Sequence, residues 1–334
     1  VIPARNEARN IAWVLEHMPL EVDEVVLVDG NSTDRTIEIA LAVRPDTVVV
    51  SDDAPGKGCA MRKGIETATG DFVVVLDADG SMDPREIGRF VAPLVEGHDL
   101  VRGSRFTAGA GSSDISKLRK LGNRGFLVLA GILYRVSRSD LCYGYAAFRR
   151  SSIRALNLTA TGFEIEAQMF LRSERAGLSV TEVASFESPR HAGTSNLHTF
   201  RDGWRVLRTI VWERLRPQPY LGHAPAAAVP VVEASAEQAR RPRVALDIST
   251  LAPVSVGPRP DMSRAWSTAA AIPPDEQAMT AALVWSLAVK HGDNRLRAVA
   301  LANYREARRQ AGALPVPVYG RLMEIRQDLV PLRT

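Results

Sequence analysis

Short runs of β-branched and apolar residues punctuate the first quarter of the chain: Glu24–Val28 (EVVLV), Thr47–Ser51 (TVVVS) and Phe72–Leu76 (FVVVL). They lack the in–out alternation of a half-solvated strand, and so predict strands buried on both faces of a parallel sheet. Between them, apolar positions return at helical spacing: Ile11, Val14, Leu15 and Met18, then Ile37, Ala40 and Leu41, then Met61, Ile65 and Ala68. Asp83 followed by Pro84 and Glu86 reads as a helix start, with an N-cap, a proline in the first turn and an early acid. Ile87, Val91 and Leu94 supply that helix with a buried stripe. Strands alternating with helices over short connections predict a doubly wound α/β fold with helices on both faces of a mostly parallel sheet. The opening Val1-Ile2-Pro3 reads as the tail of a strand, so residues are expected to precede it.

The pattern then changes. From about residue 109 to 136 a Gly/Ser loop leads into a basic amphipathic helical stretch, followed by helical signal at Glu164–Ala176 and a strand-like Ser179–Phe186. Phe200–Arg214 predicts another amphipathic helix with Trp204, Leu207, Ile210 and Val211 on one side. After Pro217 the chain becomes rich in Ala and Pro, then polar, so the expected organisation is a domain at 1–217, a linker at 218–262 and a small helical segment at 263–334.

Composition narrows the class. Apolar residues at 46% and charged residues at 24% belong to a folded globular chain. No stretch reaches the ~20 consecutive apolar residues of a membrane-spanning helix. Only Cys59 and Cys142 occur, which excludes a disulfide framework and points to a reducing, cytoplasmic setting. Both read as small packed residues rather than nucleophiles. The net charge of +4 suits an anionic ligand or a membrane surface. Without zinc-finger spacing or an aromatic basic sheet motif, no nucleic-acid partner is expected.

The candidate chemistry sits at strand ends. Asp77-Ala78-Asp79 follows FVVVL directly, and ligands of open parallel sheets bind at the carboxyl ends of strands. Two carboxylates there suit a ribose and a hard divalent cation. Val1–Asn10 (VIPARNEARN), Val28–Thr36 (VDGNSTDRT), Gly56–Gly64 (GKGCAMRKG), Asp77–Pro84 (DADGSMDP) and Gly103–Phe106 (GSRF) follow one another in order.

In this ordered set the chain resembles the family 2 inverting glycosyltransferases of the GT-A fold, within them the dolichyl- or polyprenyl-phosphate mannose or glucose synthase branch. Asp140–Arg150 (DLCYGYAAFRR), Gly162–Glu166 (GFEIE) and Pro189–Leu197 (PRHAGTSNL) extend the resemblance over roughly residues 1–215. It implies a GT-A-like, Rossmann-like domain that transfers a sugar, with inversion, from a GDP- or UDP-sugar to polyprenyl phosphate. A saccharide or small-molecule acceptor is the alternative, and a non-catalytic nucleotide-sugar-binding protein a third reading. It further implies Mg²⁺ or Mn²⁺ at Asp77 and Asp79, and nucleotide-sugar contacts from Pro3, Asn6, Glu7, Asp29, Lys57 and Asp77. Arg105 and Arg119 match acceptor-phosphate positions and Arg190 a donor-phosphate contact, and the expected catalytic residues are Asp79, Arg190 and, as the base that a hydroxyl acceptor would need, Asp140 at the start of DLCYGYAAFRR. A peripheral place at the inner face of a membrane follows.

The sequence departs from the branch where Gly30 and Asn31 replace the usual second acid, Ser81 replaces a Gln and Asn196 a Lys. Bland roles compete at several positions. Ser32 and Thr33 are also good N-caps, Asp34 suits the positive end of a helix dipole, and Glu164 and Glu166 suit a helix start. His191 reads equally as a metal or phosphate contact and as a surface residue. Trp204 and Trp212, with Arg205, Arg208 and Arg214, read as either a core-packing or an interfacial helix.

Overall fold

The computed structural model describes residues 1–194 and 197–217, together with helical positions 281, 284, 299–304, 306 and 307. The chain divides into two compact units; residues 1–217 belong to the first, and the described positions from 281 onward to the second. The expected linker at 218–262 lies outside the described residues, as does most of the helical segment expected at 263–334.

In the first unit, parallel strands β1 (Ile2–Ala4), β2 (Val26–Asp29) and β3 (Val48–Ser51) alternate with helices α1 (Ile11–Glu16) and α2 (Thr36–Val43). After α3 (Lys57–Thr67) comes β4 (Phe72–Val75), which lies beside the start of β1: the Val1 nitrogen donates to the Val74 carbonyl at 2.8 Å, and the Leu76 amide to the Val1 carbonyl at 3.3 Å. Helix α4 (Ile87–Val95) follows a 3-10 turn at Pro84–Glu86, capped as expected by Asp83, whose carboxylate accepts the Arg85 amide. Then come β5 (Leu100–Ser104), β6 (Gly111–Ser112), α5 (Lys117–Tyr134), β7 (Ala146–Arg149), α6 (Arg150–Arg154) and α7 (Ile165–Arg175). Strands β8 (Val180–Ala184) and β9 (Phe186–Glu187) and helix α8 (Thr199–Leu215) complete the described part. The second sheet runs β4-β7-β5-β8, with β7 antiparallel to both neighbours and β8 parallel to β5. A short parallel pair, β6 with β9, stands apart.

The strands feed two cores, one on each face. Leu27, Val101 and Ala147 pack with Ile11, Val14 and Phe90 of α1 and α4 on one side. Their chain neighbours Val26, Val28, Leu100, Ala146 and Phe148 pack with Met61, Ile65 and Met169 of α3 and α7 on the other. That is the two-residue period of a sheet covered on both faces. A third cluster joins α5, α7 and α8 through Ala130, Phe170, Leu171, Val206 and Ile210.

Two expectations need correction. Strand β3 is the sheet edge, with Val48 and Ser51 exposed, although its unbroken valines read as doubly buried. Helix α8 buries Asp202, Val206, Ile210 and Glu213, while Trp204, Val211 and Trp212 face outward. Its inner stripe contains two acids because both are satisfied there. Asp202 accepts the His198 amide at 2.8 Å, and Glu213 forms a buried pair with Arg172 at 2.7 Å and accepts from Gln168.

Candidate active site

A cleft of about 1330 Å³ opens over the carboxyl ends of β1, β2 and β4. It reaches across to α5 and α8. Of the residues singled out in the sequence, Pro3, Asn6, Glu7, Lys57, Asp77, Asp79, Arg105, Arg119 and Arg190 line it; Asp29 and Asp140 do not.

The turns after β1 and β2 are tied to each other before any ligand arrives. Asn6, in the left-handed region at φ 57°, donates its amide to the Ser32 hydroxyl at 2.9 Å and accepts the Thr33 amide at 2.7 Å. The Glu7 amide donates to the Thr36 hydroxyl, and the Ala8 amide to Asp34. Ser32, Thr33 and Asp34 therefore spend their polar groups clasping the two turns together. Asp29 is buried: one carboxylate oxygen accepts the Ser32 amide at 2.9 Å and the other has no partner.

Glu7 anchors a chain of charge. Its carboxylate accepts from Asn10 and from the Arg190 guanidinium, each at 2.5 Å, and the other end of Arg190 lies 3.5 Å from Asp79. The segment bearing Arg190 docks by backbone onto the Asp77–Met82 turn: the Ser188 amide donates to the Ser81 carbonyl and the His191 amide to the Asp79 carbonyl. His191 itself stacks on Trp13, with ring centroids 5.9 Å apart. Three motifs far apart in sequence thus meet at one point.

Lys57 forms the second charge centre. Its ammonium lies 2.5 Å from Asp77 and 2.8 Å from Glu166, nearly out of solvent. Burial alone would lower the Lys57 pKa, but the two carboxylates outweigh it and hold the group charged. Burial raises Glu166 above the usual carboxylate range, against the pull of Lys57. Gly144 makes room for the cluster, and Gly58 for the approach of α3 to the Ala160–Thr161 backbone. At Gly58, where the amide donates to the Thr161 carbonyl, a Cβ would sit 2.6 Å from the Ala160 carbonyl oxygen. At Gly144 a Cβ would sit 2.7 Å from the Lys57 nitrogen and 2.8 Å from a Glu166 oxygen.

Asp77 and Asp79 present hard oxygen donors to the cleft. The first Asp79 oxygen accepts the Ser81 amide at 2.9 Å, which orients the carboxylate. Among the described residues no group of three or more His, Cys, Asp or Glu is placed to hold a metal ion by itself. The pair fits Mg²⁺ or Mn²⁺ as a partial shell, to be completed by oxygens of a bound ligand and water.

On the acceptor side the structure separates the two arginines. Arg105 is gripped by Asp140, at 2.7 and 3.0 Å, and by Glu187 at 3.2 Å, and it lies over the Tyr143 ring. Burial would lower its pKa, but these carboxylates raise it well above the ordinary arginine value. Asp140 is fully buried with both oxygens on Arg105, so it is not placed to take a proton from a substrate in the cleft. Arg119, on the first turn of α5, is only loosely paired, 3.9 Å from the exposed Asp114. Burial pushes the Cys142 thiol up to about 12, in keeping with a packed residue, and Cys59 is buried and unpaired. Glu164 accepts the Thr161 and Gly162 amides and pairs with Arg205 at 2.8 Å, a local brace.

Several contributors had little sequence signal. Glu187 and Gly144 matter through partners far away in the chain. The apolar wall of the cleft, formed by Leu118, Phe126, Phe163, Trp204 and Leu207, draws two residues each from α5 and α8 and one from the turn before α7.

The profile of Glycosyl transferase family 2 matches residues 1–156. Glycosyltransferase AglJ of Haloferax volcanii is 34% identical over 204 residues, 60% of this chain and 66% of that protein. The low-salt glycan biosynthesis hexosyltransferase Agl6 of the same organism is 28% identical over 70% of this chain and 56% of its own length. The chain thus spans only about half to two thirds of those two archaeal relatives. An uncharacterized glycosyltransferase of Mycobacterium tuberculosis is 32% identical over 219 residues, 62% of this chain and 96% of that protein. Among solved structures, glucosyl-3-phosphoglycerate synthase from Mycobacterium tuberculosis in complex with Mn²⁺, UDP and glucosyl-3-phosphoglycerate superposes with a TM-score of 0.52 at 26% identity, covering 65% of this chain and 79% of that one. With the α/β sheet, the strand-end carboxylates and these relatives in agreement, the chain belongs to glycosyl transferase family 2.

Proposed function

We propose that this protein transfers a sugar, with inversion, from a nucleoside diphosphate sugar to polyprenyl phosphate. One observation carries the reading: a single cleft joins the carboxylates Asp77 and Asp79 and the cations Lys57 and Arg190 to Arg119 and an apolar wall. The charged half suits a diphosphate and its metal, and the apolar half suits a lipid chain. The solved complexes of glucosyl-3-phosphoglycerate synthase with Mn²⁺ and UDP-glucose, and with Mg²⁺ and UDP, support the donor and metal assignments.

In this reading Asp77 and Asp79 would hold a divalent cation, which when bound would supply positive charge to the leaving nucleotide. Arg190 exchanges its contact with Asp79 for the diphosphate oxygens while Glu7 keeps it oriented, and so adds electrostatic support at the leaving group. Lys57 fixes the Asp77 carboxylate from behind. A polyprenyl phosphate oxygen is already anionic and needs no base, which accords with Asp140 being enclosed by Arg105 rather than open to the cleft. Arg119 is the acceptor-phosphate contact, and Arg105 ties Asp140 to Glu187. The lipid acceptor places the enzyme at the inner face of a membrane.

A small phosphorylated or saccharide acceptor is the second reading, favoured by the likeness to a synthase solved with UDP-glucose and phosphoglyceric acid. The test is transfer of labelled sugar from UDP- and GDP-sugars to polyprenyl phosphate, to phosphoglyceric acid and to neutral saccharides. The account expects product on polyprenyl phosphate. It also expects Arg119→Ala to raise the KM for that acceptor about tenfold or more, as loss of a charge-assisted hydrogen bond does, with little change for the donor. Transfer only to soluble acceptors, with Arg119→Ala inert, would replace the lipid reading by the second.

A further inference from the structure

Helices α5 and α8 run side by side in the same direction. Phe126 lies beside Gly203, the Tyr134 hydroxyl donates to the Ile210 carbonyl, and Arg214 donates to the Leu133 carbonyl. Both turn their inner stripes onto α7 and share one core with it. Their outer stripes are strongly apolar for a solvent face. On α5, Leu121 is 68% and Ile132 71% exposed, with Leu118 and Val128 also out. On α8, Phe200 is 83%, Trp204 66% and Leu215 71% exposed, with Trp212 beside them.

The exposed charges on the two helices have one sign, the nearest exposed acid being Asp114 in the loop before α5. Helix α5 carries no acid, and its exposed charges include Lys117, Lys120 and Arg124. Helix α8 has two acids, Asp202 and Glu213, and both are buried; its exposed Arg201, Arg208 and Arg214 are all basic. An apolar stripe with tryptophans, flanked on its own helices by exposed Lys and Arg whose stems reach past it, is the pattern of a helix lying in a bilayer interface. Among the described residues no helix is long and apolar enough to cross a membrane, so the contact is lateral. The stripes also open onto the cleft, because Leu118, Phe200 and Trp204 line its rim.

We propose that the outer face of α5 and α8 is a docking surface for a bilayer containing anionic phospholipid. The charge pattern selects this occupant. A second copy would set one basic face against another, whereas an anionic lipid surface satisfies both the charges and the apolar stripes. Docked this way, the apolar wall of the cleft meets the lipid phase, so a long-chain acceptor enters without crossing water. The inference deepens the lipid-acceptor reading, yet vesicle binding needs neither donor nor acceptor, so each can fail without the other.

The test is co-sedimentation of the full chain with vesicles of phosphatidylcholine alone and of phosphatidylcholine with phosphatidylglycerol. Binding is expected to the anionic vesicles at least about tenfold above the neutral ones, and to weaken as salt is raised. Leu121→Ser/Ile132→Ser and Trp212→Ser/Leu215→Ser, none of which line the cleft, should each lower that binding about tenfold or more without altering the melting temperature. Lys117→Glu/Lys120→Glu, at exposed positions that tolerate change, should do the same to the anionic preference. Failure to bind either vesicle, or binding undiminished in all three variants, overturns the proposal. A wild-type dimer in solution that the serine variants dissociate, without vesicle binding, assigns the face to a second copy and overturns it equally.

Discussion

Replacing Lys57 by Met removes the charge between Asp77 and Glu166 while keeping most of the side-chain volume. Glu166, almost completely buried, then loses its countercharge. Breaking a buried ion pair by deleting one partner costs about 3–5 kcal/mol, most of it from the orphaned charge. Asp77 is about a quarter exposed on its side chain and can be solvated from the cleft, so the lower end, about 3 kcal/mol, applies. The double variant Lys57→Met/Glu166→Gln removes the orphan as well. It should recover about 2 kcal/mol, a coupling typical of directly contacting charges.

A pH signature goes with it. Burial already raises Glu166, and without Lys57 the carboxyl rises further. A group whose folded pKa exceeds its unfolded value binds more protons when folded, so stability increases as pH falls through that interval. The Lys57→Met deficit should therefore shrink as pH drops from neutral toward the unfolded carboxylate value near ~4.3, and Glu166→Gln should abolish the trend. Urea denaturation of the wild type, single and double variants at a neutral and a mildly acidic pH reads both effects. Equal destabilisation of the single and double variants at both pH values would refute the coupled-charge account of this cluster.

Two further substitutions probe the frame. Glu213 is pushed up by burial but held below the usual carboxylate range by hydrogen bonds from Arg172 and Gln168, so its stabilisation is present above the unfolded carboxylate pKa and lost as pH falls through the depressed folded value. Glu213→Gln should cost about 3 kcal/mol near neutrality and flatten the acid limb of the stability curve, measured by thermal unfolding across pH. Gly144→Ala should cost about 1–3 kcal/mol by overpacking against Lys57 and Glu166, and should weaken nucleotide-sugar binding in titration calorimetry.

The sequence made the strand-end chemistry legible because the motifs are local. The valine runs marked β2 and β4, the Asp83-Pro84 cap marked the entry to α4, and the carboxylates Asp77 and Asp79 fall where a parallel sheet ends. Pairings across long separations were not legible. Arg105 matches an acceptor-phosphate position as a residue type, and only the fold brings Asp140 and Glu187 onto it. Lys57 meets Glu166 through a cavity kept open by Gly144, a relation no spacing encodes. Strand β7 escaped notice because Ala146 and Ala147 carry little β signal and the strand is held by its neighbours β4 and β5. In α8 the apolar period found the buried Ile210 but put Trp204 and Val211, which face outward, beside it, because two of the four buried positions are acids satisfied by specific partners.

Cation-dependent binding of a nucleotide sugar at Asp77 and Asp79 is the central property proposed for this site. Titration calorimetry of UDP- and GDP-sugars with Mn²⁺, with a chelator, and on Asp79→Asn tests it in one series. One donor should bind in the presence of Mn²⁺, and chelation or Asp79→Asn should each weaken it at least about tenfold while the melting temperature of the free protein is unchanged. Donor binding of the same affinity with chelator, and in a folded Asp79→Asn variant, would contradict it.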